Sequence, residues 1–200
     1  MRILIVGANG TLGKKVSLAL AAKHELITAG RQSGDHHVDI TSESSVKRLF
    51  KAIKPVDACI CTAASGDLDD FPTLTGKKLL ANMKGKLMGQ VNLVLIGQHY
   101  LNDKGSFTLT SGVFADEPYK GVTGGGLISG ALHSFVLSAA IELERGLRIN
   151  AVSPGMLEDS AKDYGELFPG LQPVPMDKVT AAFVSSVETS VTGQIFKIYR

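Results

Sequence analysis

Short, largely apolar runs alternate with longer segments of helical period along almost the whole chain. The runs lie at residues 2–6, 25–29, 57–61, 106–110, 148–152 and 194–199, and the helical segments at 11–23, 43–53, 76–101, 127–145 and 177–187. Strands that do not alternate between apolar and polar residues are buried on both faces, which is typical of a parallel sheet covered by helices. The pattern therefore predicts an α/β fold with a doubly wound parallel sheet in a three-layer sandwich.

Length and charge narrow the class of protein further. A chain of 200 residues suits one domain, predicted to span residues 1–200. Its net charge is +2 and no basic stretch is interleaved with aromatic residues, so we expect no nucleic-acid partner. The run at 2–6 is too short for a signal peptide, and no apolar run approaches the roughly 20 residues of a membrane span. We therefore expect a cytoplasmic protein that does not bind membranes.

A glycine-rich turn joins the first predicted strand to the first predicted helix. Its sequence is Gly7-Ala8-Asn9-Gly10-Thr11-Leu12-Gly13. Glycines allow a tight turn and a close approach of a diphosphate to backbone N–H groups, and a helix N-terminus adds partial positive charge. The turn predicts a nucleotide site, and the residues expected to hold the nucleotide are Gly7, Asn9, Gly10, Thr11 and Leu12.

Arg31 follows the second predicted strand, where an NAD site carries an acidic residue for the ribose 2′-hydroxyl. A guanidinium at this position suits a 2′-phosphate, and the hydroxyl of Ser33 is available to the same phosphate. The alternative is an exposed loop arginine without a ligand. The sequence favours NADP(H) over NAD(H).

Four segments, in order along the chain, resemble the short-chain dehydrogenase/reductase family. They are residues 38–41, 57–64, 150–155 and 192–194. The resemblance implies that Asp39 and Ile40 border the adenine. It also implies a cofactor path along Thr62, Ala63 and Ala64, and a nicotinamide beside Pro154 and Gly155.

Carbonyl reductases of that family use an asparagine, a serine, a tyrosine and a lysine. Hydride arriving at a carbonyl carbon leaves charge on oxygen, which a positioned acid and a hydroxyl must stabilise. The resemblance assigns the asparagine to Asn82 and the serine to Ser111. The ungapped match of the helix beginning near residue 127 puts Gly125 at the tyrosine and Ser129 at the lysine. Glycine has no side chain to donate a proton, and serine carries no charge, so neither residue replaces the tyrosine or the lysine.

Several residues near the missing tyrosine and lysine have alternative interpretations. Tyr119 is the nearest tyrosine and is either a proton donor or a surface residue. Glycines 124–126 leave open space for a flat acceptor or form a flexible loop. His133 follows Ser129 by one helical turn and so could face the site, but the apolar character of the helix favours a role in packing or in an interface. A hydrolase based on Ser111 and a histidine is disfavoured because the nucleophile-elbow motif is missing.

Other polar groups are expected to have no ligand. The adjacent histidines 36–37 are predicted to be solvated and to bind no metal, and residues 67–70 to form a solvated loop. Cys59 and Cys61 lie on an apolar run and are predicted to be buried. The helical segment at 127–145 is apolar on more than one face, and the family resemblance implies a homodimer or homotetramer through it.

Two functions remain open. The first is an NADP(H)-dependent oxidoreductase that transfers hydride to a small carbonyl compound or to an activated acceptor such as a quinone or flavin. An activated acceptor has a stable reduced anion and so requires little from a proton donor. The second is a catalytically silent NADP(H)-binding sensor or regulatory protein.

Overall fold

The computed structural model describes residues 1–63 and 68–200. Seven parallel strands form the main sheet in the order β3-β2-β1-β4-β5-β6-β9. Their bounds are β1 Arg2–Val6, β2 Glu25–Gly30, β3 His36–His37, β4 Val56–Cys61, β5 Leu101–Thr110, β6 Arg148–Pro154 and β9 Ile195–Ile198. Two further strands, β7 Met156–Leu157 and β8 Pro173–Val174, pair with each other in a small second sheet. The predicted doubly wound α/β fold is confirmed.

Helices cover both faces of the sheet. They are α1 Thr11–Ala21, α2 Glu43–Ala52, α3 Gly76–Gly97, α4 Thr123–Glu142, α5 Ala161–Tyr164 and α6 Met176–Glu188. Alternate residues of β1 supply both cores: Ile3 and Ile5 pack with apolar residues of α1 and α6, whereas Leu4 and Val6 pack with those of α2, α3 and α4. The strand is apolar throughout because both of its faces are buried.

Three boundaries differ from the sequence-based expectation by four residues or more. α4 begins at Thr123 rather than at 127, and α3 ends at Gly97 rather than at 101. β5 begins at Leu101 rather than at 106. By length and composition α4 also meets the requirements for a membrane span, contrary to the expectation that no such run exists. In the structure one side of α4 packs against α3 and β6, and 28% of the apolar stretch is buried.

The two cysteines are buried in β4 as free thiols, as predicted. Burial raises the pKa of both thiols, that of Cys61 to about 12. A thiol that keeps its proton at neutral pH is a poor nucleophile and a poor metal ligand. Both residues act as core side chains.

Candidate functional site

The glycine turn after β1 is shaped by close backbone contacts. Gly7 has a φ of +92°, and a Cβ there would lie 2.6 Å from the backbone nitrogen of Ala63. A Cβ on Gly13 would lie 2.1 Å from the carbonyl oxygen of Gly7. Only glycine fits either position, because the turn, the first helix and the end of β4 touch through their backbones.

Helix α1 begins at this turn, with Gly10 as its N-cap. Its first turn contains no acidic residue, and no side chain among residues 1–63 and 68–200 caps it. The first N–H groups of a helix have no partner within the helix and carry partial positive charge. The turn therefore offers backbone donors to an anion, as the sequence predicted. Leu12 contributes only its backbone here, because its side chain is buried in the core.

A cleft of about 380 Å³ opens beside this turn, between the carboxyl ends of β1, β2 and β4. The predicted cofactor residues that line it are Gly7, Asn9, Gly10, Arg31, Ser33, Asp39, Ile40 and Ala63. The cleft lies at the carboxyl ends of the strands, where the strand order reverses between β1 and β4. Open parallel sheets bind nucleotides at this position. The structure thus gathers the adenine, diphosphate and 2′-phosphate residues of the prediction in one place.

Arg31 lies exposed at the mouth of this cleft. Within residues 1–63 and 68–200, no carboxylate lies within 4.0 Å of its guanidinium. Asp39 lies in the same cleft, but its Oδ1 accepts hydrogen bonds from the backbone N–H and the hydroxyl of Thr41. Those bonds hold the pKa of Asp39 below its usual value, with a smaller contribution from Arg31. The lining residues fit a nicotinamide dinucleotide, and the guanidinium of Arg31 is exposed at the mouth of the cleft.

Five predicted cofactor positions do not line this cleft. Thr11 is exposed at the start of α1, Leu12 is in the core, and the Thr62 hydroxyl donates to the Val6 carbonyl at 3.3 Å. Pro154 and Gly155 end and follow β6, farther along the same edge of the sheet. Ala64 lies outside the described residues. The assignments of these residues to the cofactor stay predictions.

Helix α3 brings a polar stripe to the end of β5. Asn82, Lys86 and Gln90 are spaced four residues apart and so lie on one face of the helix. The Gln90 side chain donates to the Thr110 carbonyl and accepts from its N–H, each at 2.8 Å. Lys86 Nζ donates to the Ser111 carbonyl at 3.1 Å and also lines the cofactor cleft. The half-buried side chain of Asn82 makes no hydrogen bond to the described residues.

Comparison with known proteins agrees with this geometry. A family model described as enoyl-(acyl carrier protein) reductase matches residues 3–198. The chain belongs to the short-chain dehydrogenase/reductase family. The protein lin1944 from Listeria innocua is 44% identical over 100% of both chains, with a TM-score of 0.97.

More distant solved structures share the fold of this family member. A small-chain dehydrogenase in complex with NADPH is 22% identical over 99% of this chain and 96% of its own, with a TM-score of 0.87. The aldohexose dehydrogenase of Thermoplasma acidophilum is 16% identical over 98% and 91%, with a TM-score of 0.84. No curated protein matches the chain.

The family's tyrosine and lysine positions fall on one stripe of α4. Gly125 and Ser129 are four residues apart, and a Cβ on Gly125 would meet the side chains of Phe114 and Val122. Ser129 is buried, and its hydroxyl forms no hydrogen bond with any residue that the structure describes. A Cβ on Gly112 would lie 3.5 Å from Ser129 Oγ and 3.8 Å from Lys86 Nζ. Lys86 thus brings a cation from the facing helix to the space beside Ser129.

The glycine run at the start of α4 is neither open nor a flexible loop, contrary to the prediction. All three glycines belong to the helix, and a Cβ on Gly126 would lie 2.9 Å from the Phe114 carbonyl oxygen. Gly124 donates its N–H to Oδ2 of the buried Asp69 at 2.5 Å. Asp69 therefore satisfies the helix N-terminus, and its assignment to a solvated loop is wrong.

Tyr119 packs in an aromatic cluster. Its ring lies 6.0 Å from that of Phe114 and 5.8 Å from that of Phe168, both edge-on. Its hydroxyl makes no hydrogen bond to the residues that the structure describes. The structure places Tyr119 in packing contacts and brings it to neither Ser111 nor Lys86 through a hydrogen bond.

His133 is instead the side chain that reaches Ser111. Its Nε2 lies 2.8 Å from Ser111 Oγ, so His133 faces the site, which was the less favoured alternative. The signal for Lys86 was present in the sequence as a spacing of four from Asn82. It was missed because a spacing identifies a helical face but not the element that this face contacts.

Proposed function

We propose that the chain is an NADP(H)-dependent oxidoreductase that transfers hydride to a small carbonyl compound or to an activated, quinone-like or flavin-like acceptor. The observation that carries the proposal is the shared cleft of the glycine turn, Arg31 and Ser33. A cofactor bound there would place its 2′-phosphate beside the guanidinium of Arg31, which has no carboxylate within 4.0 Å among residues 1–63 and 68–200. The NADPH complex of a dehydrogenase with the same fold supports this assignment.

The acceptor end of the site retains part of what a reductase needs. When bound, NADPH supplies the hydride. Ser111 supplies a hydroxyl for the substrate oxygen, and Lys86 holds a cation at the end of β5. The amide of Asn82 forms no hydrogen bond within the described part of the chain. Desolvation by burial lowers the Lys86 pKa to about 8, so its ammonium is still mostly charged at neutral pH. This charge favours a developing oxyanion nearby.

The absence of a tyrosine at Gly125 favours acceptors that need little proton donation. General acid catalysis is worth about 10²- to 10⁴-fold, so a ketone loses more than a quinone, whose reduced anion is stable. The same substitution supports the second candidate, a sensor that binds NADP(H) without turnover. Residues on the apolar outer face of α4, including Leu137 and Ile141, are exposed and suit a homodimer or homotetramer interface in either case.

The test is the loss of NADPH absorbance with a panel of menadione, riboflavin, aromatic aldehydes and simple ketones. We expect turnover with menadione or riboflavin above that with ketones, and faster oxidation of NADPH than of NADH. Binding of NADPH with no turnover on any acceptor would support the sensor and refute the oxidoreductase.

A further inference from the structure

The strongest unassigned feature is the hydrogen bond between Ser111 and His133. Ser111 follows the central strand β5 directly and is almost completely buried, and its Oγ lies 2.8 Å from His133 Nε2. The pair lies beside the cofactor cleft, because Lys86, which lines that cleft, donates to the carbonyl of Ser111. A serine and a histidine in direct contact at this edge of the sheet need a chemical explanation.

Helical geometry connects the pair with the missing tyrosine and lysine. Gly125, Ser129 and His133 are spaced four residues apart on α4 and form one stripe. Gly125 and Ser129 lack the functional groups of the family's tyrosine and lysine, and the imidazole of His133 lies one helical turn farther along. A serine hydroxyl both donates and accepts hydrogen bonds, so it can receive a proton from one partner while giving its own to another.

We propose that Ser111 and His133 form a proton relay that takes the place of the family's tyrosine and lysine in carbonyl reduction. The inference rests on the proposed function. The carbonyl carbon accepts the hydride, and its π electron pair moves to the carbonyl oxygen. That oxygen takes the hydroxyl proton of Ser111, whose Oγ takes the Nε2 proton of the His133 imidazolium. Solvent then returns a proton to the neutral imidazole, so that one hydride and one proton are added overall.

Charged groups from three elements surround His133. Burial lowers its pKa below the ordinary value of 6.5, and Lys197 of β9 and Lys86 of α3 act in the same direction. Asp116, after β5, acts in the opposite direction, but its carboxylate is shared between Lys197 Nζ at 2.9 Å and the Tyr199 hydroxyl. The relay needs the imidazolium, so carbonyl reduction should rise as the pH falls through a pKa below 6.5.

The kinetic test compares two acceptors in the wild type, His133→Gln and the control His99→Gln, whose histidine is exposed and lies after α3. NADPH-dependent reduction of nitrobenzaldehyde and of menadione is measured between about pH 5 and pH 8, the range in which histidine titrates. We expect His133→Gln to reduce the aldehyde about 100-fold more slowly and without the acidic rise. Its NADPH affinity should match that of the wild type and of His99→Gln, and its menadione reduction should fall by a much smaller factor than its aldehyde reduction.

The outcomes separate the two proposals. Menadione reduction together with an aldehyde rate whose pH profile is unchanged in His133→Gln would overturn the relay and leave the oxidoreductase intact. Menadione reduction with no aldehyde reduction at any pH would also overturn the relay alone. No reduction of either acceptor by protein that binds NADPH would refute the proposed function and the relay with it.

A measurement on the wild-type protein avoids the question of whether the variant folds. Nitrogen NMR of labelled histidines follows the His133 titration, assigned by the signal that is missing in His133→Gln. The oxidised nicotinamide ring is cationic and the reduced ring is neutral. A relay beside the nicotinamide should therefore titrate at lower pH with bound NADP⁺ than with bound NADPH. Equal titration in the two complexes would place His133 away from the reacting ring and contradict the relay.

Discussion

The two ends of the candidate site are built in different ways. At the cofactor end, the glycine turn is shaped by a contact between residues close in sequence, Gly7 and Gly13, and it packs onto Ala63 at the end of β4. At the acceptor end, the contacts join Lys86, Ser111 and His133, which lie on or follow three separate elements. The comparison teaches that a turn built within one loop can be recognised from a single stretch of sequence, whereas a cluster of side chains from separate elements cannot.

The largest effect is predicted for a substitution in the glycine turn, at the cofactor end of the site. In Gly13→Ala the new Cβ would lie 2.1 Å from the Gly7 carbonyl oxygen, so the turn must move. We expect a loss of about 3 kcal/mol in the free energy of unfolding and at least tenfold weaker NADPH binding, since strong overpacking costs about 1–3 kcal/mol. Urea unfolding and fluorescence titration measure the two effects.

Gly130→Ala is the matched control for this change, because it is also a helical glycine but has no atom within 4 Å of its added Cβ. Alanine is favoured over glycine in a helix by about 0.5–1 kcal/mol, so this variant should be slightly more stable than the wild type. Equal stability and equal NADPH affinity of the two variants would show that the turn is not the close-packed element described above.

The difference between local contacts and contacts across the fold also explains which parts of the structure the sequence could predict. The strands and the glycine turn follow from local patterns, because burial on both faces leaves β1 apolar throughout and a tight turn demands glycine. The start of α4 at Thr123 was missed because glycine is a poor helix former. What holds that start in a helix is the buried Asp69, which is distant in sequence and invisible to a local pattern.

A smaller effect is predicted at Asp69 and sharpens the comparison at the acceptor end. Asp69→Ala removes the acceptor for the Gly124 N–H, and losing a helix cap costs about 1–2 kcal/mol. α4 carries Ser129 and His133, so these two side chains should be held less firmly in position. NADPH affinity should change little, because the glycine turn is unaffected. Urea unfolding should show a much smaller loss for Asp70→Ala, whose carboxylate is exposed. Similar losses in both variants would contradict the capping role.

The smallest effect is predicted for Lys86 and depends on pH. Burial lowers its folded-state pKa to about 8 from 10.5, so between these values the unfolded chain binds more protons than the folded protein. Stability linked to Lys86 therefore rises with pH across that window. In Lys86→Met this rise should disappear, and the variant should be about 1 kcal/mol more stable at neutral pH after allowance for partial exposure.

Urea unfolding of wild type and Lys86→Met at several pH values measures this difference. Lys84→Met is the control, since Lys84 lies on the same helix but is exposed. If the free energies of unfolding of Lys86→Met and of the wild type depend on pH in the same way, the Lys86 ammonium is not buried at the end of β5. The acceptor end of the site would then lack a buried cation.

The central claim is that the cleft binds NADP(H), with Arg31 selecting the 2′-phosphate. The most direct test is titration of the wild type, Arg31→Asp and the exposed control Arg48→Asp with NADPH and with NADH. A charge-assisted hydrogen bond is worth about 1.5–3 kcal/mol, so the wild type and Arg48→Asp should bind NADPH at least tenfold more tightly than NADH. Arg31→Asp should lose that preference. Failure of the wild type to bind either dinucleotide would contradict the account, and an unchanged preference in Arg31→Asp would remove Arg31 from it.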